Sequence, residues 1–519
     1  MFAVVSVSNS HEANWPNLVA DRLALQAKIG YTVDIITFDN NAGRETAKIL
    51  WVKPTTVRQI KRLVRGAKEL GLGIRVVGAG HSMSPMFPDP YIQIGVSLDD
   101  LRGEKYHLNQ ERNKLTVLST ERLGDVLKWA AEKGVTLGAV PFAPILTIPG
   151  ITATSSHGSS IKFGPFANMV YGYELVDGSA NVRKFNEDDN KEIIDACRVH
   201  LGLCGIIYKT ILKVIPDIKL KFSVANIPVR KLLNNENRKD LVLNNWGVSF
   251  MLPSQLKSAT QDEIVNMISE SPQRIPADSY DIFKEDMSVW IWSDIDQNTV
   301  SRKKYNDTLE LADGSTYDAV SVIKPFSETS NAGYVHTKEQ CIQPRSTTSF
   351  STPESDDFME SGKTMANSLH VVEEIFKNTR FHTGVTYGTL GFRWMRLIDD
   401  CLLCTTKVAN KSSEYKLVMY TEIFVDNDKC EEPILNDDTL EKLLSLESRF
   451  GVAVMKNNSR ALSHWGKRDK HIPGSSDRTR RQFGDDLLTF INMRNKYKLD
   501  NKNLFVNTHL KDIFRDTFA

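Results

Sequence analysis

Three short stretches of this chain concentrate residue types that can hold a phosphate or a flat polar ligand. In Arg75-Val76-Val77-Gly78-Ala79-Gly80-His81-Ser82 an apolar, largely β-branched run breaks into a turn with two glycines and presents a histidine. The glycines permit backbone angles and close approaches that a side chain forbids. Successive exposed N–H groups in such a turn cradle an anionic phosphate. Taken alone, the same residues also describe a tight turn with a surface histidine. The second stretch is Pro149-Gly150-Ile151-Thr152-Ala153-Thr154-Ser155-Ser156-His157-Gly158-Ser159-Ser160. Its small residues let a backbone pack flat against a planar ligand, while hydroxyl and N–H groups bond the ligand's rim. A polar loop is the plain alternative. The third is Leu201-Gly202-Leu203-Cys204-Gly205-Ile206-Ile207, which runs into a strand over Tyr208–Val214.

The elements that must position these stretches follow from hydrophobic spacing. Pro54-Thr55-Thr56 opens a helix whose apolar positions are Val57, Ile60, Leu63, Val64, Ala67 and Leu70, the spacing of one helical face. Gly71 and Gly73 end it, and the strand Ile74–Val77 delivers the first turn. Tyr91–Leu98 and Lys114–Ser119 read as further strands. Thr120 is placed to cap a helix over Glu121–Lys133, closed by Gly134. Val170–Val176 and Val182–Phe185, joined through Asp177-Gly178, read as a hairpin. Leu18–Ile29 is helical in pattern within an otherwise weakly patterned leader. Beyond Pro216 the chain becomes more polar. Asp294–Asp307 and Pro344–Asp357 read as long loops, Lys363–Lys377 as a helix and Lys416–Val425 as a strand. Cys401–Val408 alternates like a strand, and Gly484–Lys496 is helical.

Composition excludes several classes. The 519 residues call for two or three domains. Net charge is +1, which argues against the strong positive field of bulk nucleic-acid binding. No apolar run reaches the roughly 18 residues of a transmembrane helix. Met1-Phe2-Ala3-Val4-Val5 is too short for a secretory signal. Six cysteines do not make a disulfide framework. Cys401-Leu402-Leu403-Cys404 is at most half a zinc site, so core packing is the expectation and no metal is called for. The sequons at Asn306, Asn410 and Asn457 carry little weight without a signal. The default is a reducing, intracellular, cytoplasmic setting, with peripheral membrane association left open. The first turn is not a dinucleotide fingerprint, because Met83 stands where a third glycine should open a helix, with Pro85 and Pro88 close behind.

In their order, the three stretches resemble the FAD-binding domain of the vanillyl-alcohol-oxidase type of flavoprotein, over roughly residues 50–215. The resemblance implies an α+β fold: a two-part FAD-binding domain plus an α+β cap with an antiparallel sheet. It implies that Val77, Gly78, Ala79, Gly80, His81 and Ser82 hold the FAD pyrophosphate, and that His81 occupies the position joined covalently to the flavin in several branches. Gly150, Thr154, Ser155, Ser156, His157, Gly158 and Ser159 would line the pyrophosphate and isoalloxazine. Gly205, Ile206 and Ile207 would wrap the adenine side. Further on, His464-Trp465-Gly466-Lys467 is similar to the HWGK motif of the aldonolactone and alditol oxidases. Leu504-Phe505-Val506-Asn507, with Leu510 and Phe514, looks like that group's ending. The implied organisation is a leader (1–45), the FAD-binding domain (46–216), a cap (217–450) and a C-terminal segment returning to the flavin (451–519).

The implied chemistry is oxidation of a CH–OH donor such as an aldonolactone or polyol, by hydride transfer to flavin N5, with O2 as acceptor and H2O2 as product. A neutral histidine suits the hydroxyl proton, which makes His464 the candidate acceptor. A fixed cation stabilises charge developing on the reduced flavin, which fits Lys467. Relatives carry a Glu-x-Arg pair in the cap sheet; here Gly391-Phe392-Arg393 keeps the arginine and lacks the glutamate, and Arg396 is a rival. That departure places the substrate's hydroxyl contacts in question and favours one alternative, a flavin-carrying binding protein with a decayed redox site; a dehydrogenase with another acceptor is the close enzymatic alternative. Trp290 and Trp292, on one face of a strand, could line a pocket, though core packing is the simpler reading. The basic stretch Lys467–Arg481 reads as a solvated loop.

Overall fold

The structure, a computed structural model, describes residues 15–39, 46–89, 92–253, 282–329, 346–377, 385–407, 415–427, 437–467 and 469–515. The leader before Trp15, Tyr91, Val408, the Asn410 sequon and Arg468 lie outside the described residues. β1 (Asp34–Asp39) and β2 (Thr46–Val52) pair antiparallel; the chain crosses through the helix Val57–Leu70 and returns as β3 (Ile74–Val77). β4 (Ile94–Ser97) runs parallel between β2 and β3. The crossover helix forms where its caps and spacing dictate. The Thr56 side chain accepts from the Gln59 N–H, and Gly71 closes the far end. Ile60, Leu63, Val64 and Ala67 are buried against Leu50, Ile94 and Val96.

β5 (Tyr106–Leu108), β6 (Lys114–Leu118), β8 (Val170–Val176), β9 (Val182–Asn186) and β10 (Ile206–Lys213) form an antiparallel sheet of order β5-β6-β10-β8-β9. β7 (Val135–Thr136) pairs with β11 (Ile215–Pro216). The helix expected from Glu121 starts at Leu123, and Thr120 does not cap it. The Thr120 hydroxyl and the Tyr106 phenol both donate to the Glu121 carboxylate instead.

The remaining sheet is antiparallel and has nine described strands. They are β12 (Lys219–Pro228), β13 (Gly247–Pro253), β14 (Asp286–Asp294), β15 (Arg302–Glu310), β16 (Thr316–Pro325), β17 (Ser346–Glu354), β18 (Val385–Arg396), β19 (Leu417–Asn427) and β20 (Leu462–Ser463). Their order is β15-β16-β12-β14-β13-β18-β19-β17-β20. One face, carrying Phe250, Phe350, Phe392, Trp394 and Met419, shares a core with residues of the helices Met359–Lys377 and Asp437–Asn457. The opposite face meets the first 200 residues.

Four local expectations fail here. β15 and β17 occupy the supposed loops. β15 is an edge strand with charged residues on both faces, so no apolar alternation marks it. β17 is rich in serine and threonine and owes its extension to pairing with β19. Residues 401–407 form successive turns rather than a strand, and Cys401 and Cys404 are joined by a disulfide, as are Cys197 and Cys204. Their Cα separations of 5.4 and 6.4 Å meet the geometric requirement. Disulfides persist in oxidising compartments, so the cysteines lend no support to a reducing one. Part of the basic stretch is also helical, over Ser475–Phe483.

The chain then returns to its beginning. Ile74 N–H donates to Leu504 O at 2.9 Å, and Arg75 Nη1 to Phe505 O at 3.1 Å. Asn507 Nδ2 donates to Pro85 O and Met86 O, and Thr508 N–H to the Asp89 carboxylate. Among the described residues, no helix is long and apolar enough to cross a membrane.

Candidate functional site

The turn after β3 is shaped by steric exclusion. A Cβ on Gly78 would lie 2.2 Å from Thr147 Oγ1, so only glycine lets the turn close on the Thr147–Gly150 segment. The backbone N–H groups of Ala79 and Gly80 meet no acceptor among the described residues. Backbone donors of this kind seek a partner, and adjacent ones suit an anion. His81 stands partly exposed on the rim.

Four sequence-distant segments converge there. Met83 N–H donates to Gly466 O at 2.9 Å, and Ser84 Oγ to Trp465 O at 2.6 Å. Gly466 packs on Thr154, whose Oγ1 would be 3.2 Å from a Cβ at 466. Leu201 N–H donates to Ala153 O at 3.1 Å, and Gly202 lies against the Arg75 guanidinium. Thus Val77–Ser82, Gly150–Ser156, Leu201–Gly202 and His464–Lys467 form one locus. Gly205, Ile206 and Ile207 do not reach it through side chains. The two isoleucines are core residues, and the Ile207 carbonyl accepts from Ser119. The Ser159 hydroxyl is also committed, bonded to the Val248 carbonyl and N–H, where it anchors β13. Gly158 is required where it stands, since a Cβ would lie 2.2 Å from Val140 O.

The nine-stranded sheet forms the other wall. Paired residues of antiparallel strands point to the same face. One rung reads Ser249, Arg393, Tyr420, Ser351; the next reads Met251, Gly391, Glu422, Ser349. Arg393 Nη2 lies 2.8 Å from Glu422 Oε2, and Glu422 Oε1 lies 3.8 Å from His157 Nε2. The His157 ring stacks on Tyr420 with centroids 3.5 Å apart, and His464 lies 5.5 Å from His157. Tyr420 Oη bonds Thr405 Oγ1 at 2.6 Å, and Thr405 donates to Ser155 Oγ, so the cap is stitched to the second glycine-rich stretch. Phe142 lies over the Arg393 guanidinium at 4.4 Å and packs with Trp290 and Trp292, both buried.

The glutamate missing at 391 therefore has a counterpart. Glu422 occupies the same rung from the neighbouring strand and contacts the retained arginine. Reading along one strand could not reveal it. The available signal was a lone acid inside the apolar run Leu417-Val418-Met419-Tyr420-Thr421-Glu422-Ile423-Phe424-Val425.

Burial tends to raise the Glu422 pKa, but Arg393 foremost, then His157, Lys467 and His464, outweigh it and hold the carboxyl at about 2. Both histidines are themselves neutral near pH 7, so Arg393 and Lys467 supply the lasting attraction. Burial pushes His157 down to about 4, with Glu422 opposing and Arg393 and Lys467 assisting. Burial, His157 and Lys467 hold His464 well below the ordinary value. Burial also lowers Lys467, with Glu422 opposing and Arg393 assisting. The hydrogen bonds assign tautomers. His157 Nδ1–H donates to Gly158 O at 3.1 Å, which leaves Nε2 an open lone pair. Gly466 N–H donates to His464 Nδ1 at 3.0 Å, so His464 Nε2 carries the hydrogen.

Comparison with known proteins agrees with this architecture. Residues 49–186 match the family described as FAD binding domain. The chain is 29% identical over 190 residues to a D-arabinono-1,4-lactone oxidase of Kluyveromyces lactis, covering 36% of each chain. It is 24% identical over 186 residues to an L-gulonolactone oxidase of Bos taurus, covering 36% of this chain and 42% of the relative. The matched stretch thus spans well under half the length of these relatives. A cholesterol oxidase from Brevibacterium sterolicum superposes with a TM-score of 0.66 at 12% identity, covering 93% of this chain and 97% of that one. A Physcomitrella patens BBE-like 1 variant gives 0.60 at 14%, covering 88% and 90%. The fold is that of the vanillyl-alcohol-oxidase type of FAD flavoprotein, and the sequence resembles its aldonolactone oxidase branch.

Proposed function

We propose that this chain is an FAD-dependent oxidase that acts on the CH–OH group of a small alcohol, polyol or sugar lactone, with O2 as acceptor and H2O2 as product. The observation that carries the reading is the convergence of four segments opposite the buried Arg393–Glu422–His157–His464 cluster and the half-buried Lys467. The residues fit the cofactor. Ala79 and Gly80 offer its pyrophosphate N–H groups that have no acceptor among the described residues, His81 is the candidate covalent anchor, and the Gly150–Gly158 backbone offers a flat wall. Bound FAD would supply the two-electron acceptor. Lys467 places a fixed cation where negative charge develops. Arg393 and Glu422 hold the reacting hydroxyl. His464, the acceptor expected from the sequence, carries hydrogen on Nε2 and so orients the substrate oxygen instead, while the hydroxyl proton passes to the open Nε2 of His157, beside Glu422. The contact between Glu422 and Arg393 supports the oxidase reading over the flavin-carrying binding-protein alternative.

The test is direct. Purified protein should show a flavin spectrum, and a panel of sugars, lactones, polyols and apolar alcohols should yield H2O2 with at least one member. Flavin reduction without reoxidation by O2 would identify a dehydrogenase instead. Acid-precipitated protein should stay yellow if His81 is flavinylated, and a colourless pellet would sink that assignment.

A further inference from the structure

We propose that the outer faces of the helices Trp15–Ile29 and Val57–Leu70 form a docking surface for a bilayer that carries anionic lipid headgroups. Both helices cover one face of the first sheet. Leu18, Leu25 and Ile29 of one helix and Ile60, Leu63, Val64 and Ala67 of the other share a core with Leu50, Val52, Ile74, Ile94 and Val96. Those five strand residues lie on two rungs two positions apart, so they point the same way. The helices meet at Gly66, where a Cβ would lie 3.0 Å from Ile29 Cγ2 and 3.4 Å from Leu25 Cδ1. Lys28 Nζ and Glu69 Oε2 then pair at 2.5 Å across the exposed rim, which leaves the two outer faces side by side in solvent.

The two faces differ in character. With the positions 18, 25 and 29 turned inward, helical spacing turns Val19, Ala20, Leu23 and Ala27 outward. All four are exposed, Leu23 to 60 % and Val19 to 39 %. The other helix turns Arg58, Lys61, Arg62, Arg65 and Lys68 outward, and its single acid, Glu69, is the one bridged to Lys28. None of these five cations has an ion pair among the described residues. The whole chain carries a net charge of only +1, so the row is a local concentration of charge. Like charges three and four residues apart on a helix repel. An apolar stripe beside a row of Lys and Arg is the pattern of an interfacial helix pair, with the stripe entering the acyl boundary and the cations meeting the headgroups. A soluble polyanion would engage the cations but leave the stripe in water. A second copy of the chain, docked stripe to stripe, would bring the two cation rows together. A negatively charged bilayer satisfies both faces at once.

The test floats flavin-loaded, full-length protein with vesicles of phosphatidylcholine alone or of phosphatidylcholine and phosphatidylserine in equal parts. Binding to the mixed vesicles should be at least about 10-fold tighter, and most of it should be lost between about 0.1 and 0.5 M NaCl. Each cation near the surface is worth about 5-fold, so R62E/R65E should weaken binding by at least about 25-fold. Leu23→Ser should weaken it about 3- to 10-fold. The same charge change on the exposed edge strand β15, K303E/K304E, should leave binding within about 2-fold. Circular dichroism and flavin content establish that each variant is folded. Equal affinity for the two kinds of vesicle, equal losses in the two double variants, or a folded R62E/R65E or Leu23→Ser that binds like the unsubstituted protein overturns the proposal. If vesicles float without the protein while heparin retains it and not R62E/R65E, the cations serve a soluble polyanion and the proposal falls. If vesicles float without it while light scattering finds a dimer that Leu23→Ser splits, the stripe joins two copies and the proposal falls.

Discussion

A methyl group on Gly78 would stand 2.2 Å from Thr147 Oγ1 but 3.4 Å from Thr147 Cβ, so one oxygen accounts for the clash. Gly78→Ala should therefore cost about 1–3 kcal/mol of stability and lower flavin content. The double variant G78A/T147A, which removes that oxygen, should recover most of the lost Tm. A double variant that melts as low as the single one would place the constraint elsewhere. Lys467 offers a second residue-level test. Lys467→Met should slow anaerobic flavin reduction by substrate by about 100-fold. An unchanged rate, read by stopped-flow absorbance, removes this cation from the chemistry.

Element register decides which side chains share a site, and Glu422 is the case in point. Because Gly391 and Glu422 form one rung of the β18–β19 ladder, a carboxylate should work from either strand. The variant G391E/E422Q should regain at least about 10-fold in kcat/KM over E422Q alone, roughly the worth of one charge-assisted hydrogen bond. No recovery in a folded double variant means that the two positions do not serve one site. The same dependence explains what was legible in advance. The helix Val57–Leu70 and β3 could be read because Thr56, Gly71 and the apolar face are local signals. The first glycine turn and the HWGK segment were likewise visible as short motifs. β15 and β17 were not, since their strand character comes from partners rather than from their own alternation. Nor were the two disulfides, because pairing depends on distances that spacing does not determine. Non-reducing peptide mapping should find Cys197 linked to Cys204 and Cys401 to Cys404; free thiols at these four positions would contradict the structure.

At the scale of the molecule, buried neutral histidines set the acid limit. Burial holds His157 at about 4, His200 at about 3 and His509 at about 4. The ordinary histidine value is about 6.5. Between about pH 6.5 and 4 the unfolded chain therefore binds more protons than the folded one. Stability falls as pH drops through that window, by roughly 1.4 kcal/mol per pH unit for each such ring. Asp469, raised by burial to about 6, acts in the opposite sense below that pH. Glu422, held at about 2, begins to lose its contribution only below its ordinary 4.5. His464 is lowered as well, and Asp217 and Glu354 are raised by burial like Asp469. Four rings against three carboxyls leave a net loss, so Tm measured at about pH 7.5, 6 and 5 should fall, and a flat profile would mean that these rings are protonated in the fold. Asn507→Ala tests long-range closure. It strands the carbonyls of Pro85 and Met86 and should cost about 1–3 kcal/mol.

The path of the C-terminal segment has a consequence for biosynthesis. Chains generally fold from the N-terminus as they emerge from the ribosome. Here the first glycine turn is made early but is braced by Trp465, Gly466, Leu504, Phe505, Asn507 and Thr508. The cradle begun at residue 78 cannot be finished until residue 508 has left the exit tunnel. Flavin capture is thus expected only after translation has passed residue 508, about 430 positions beyond the turn that begins the cradle.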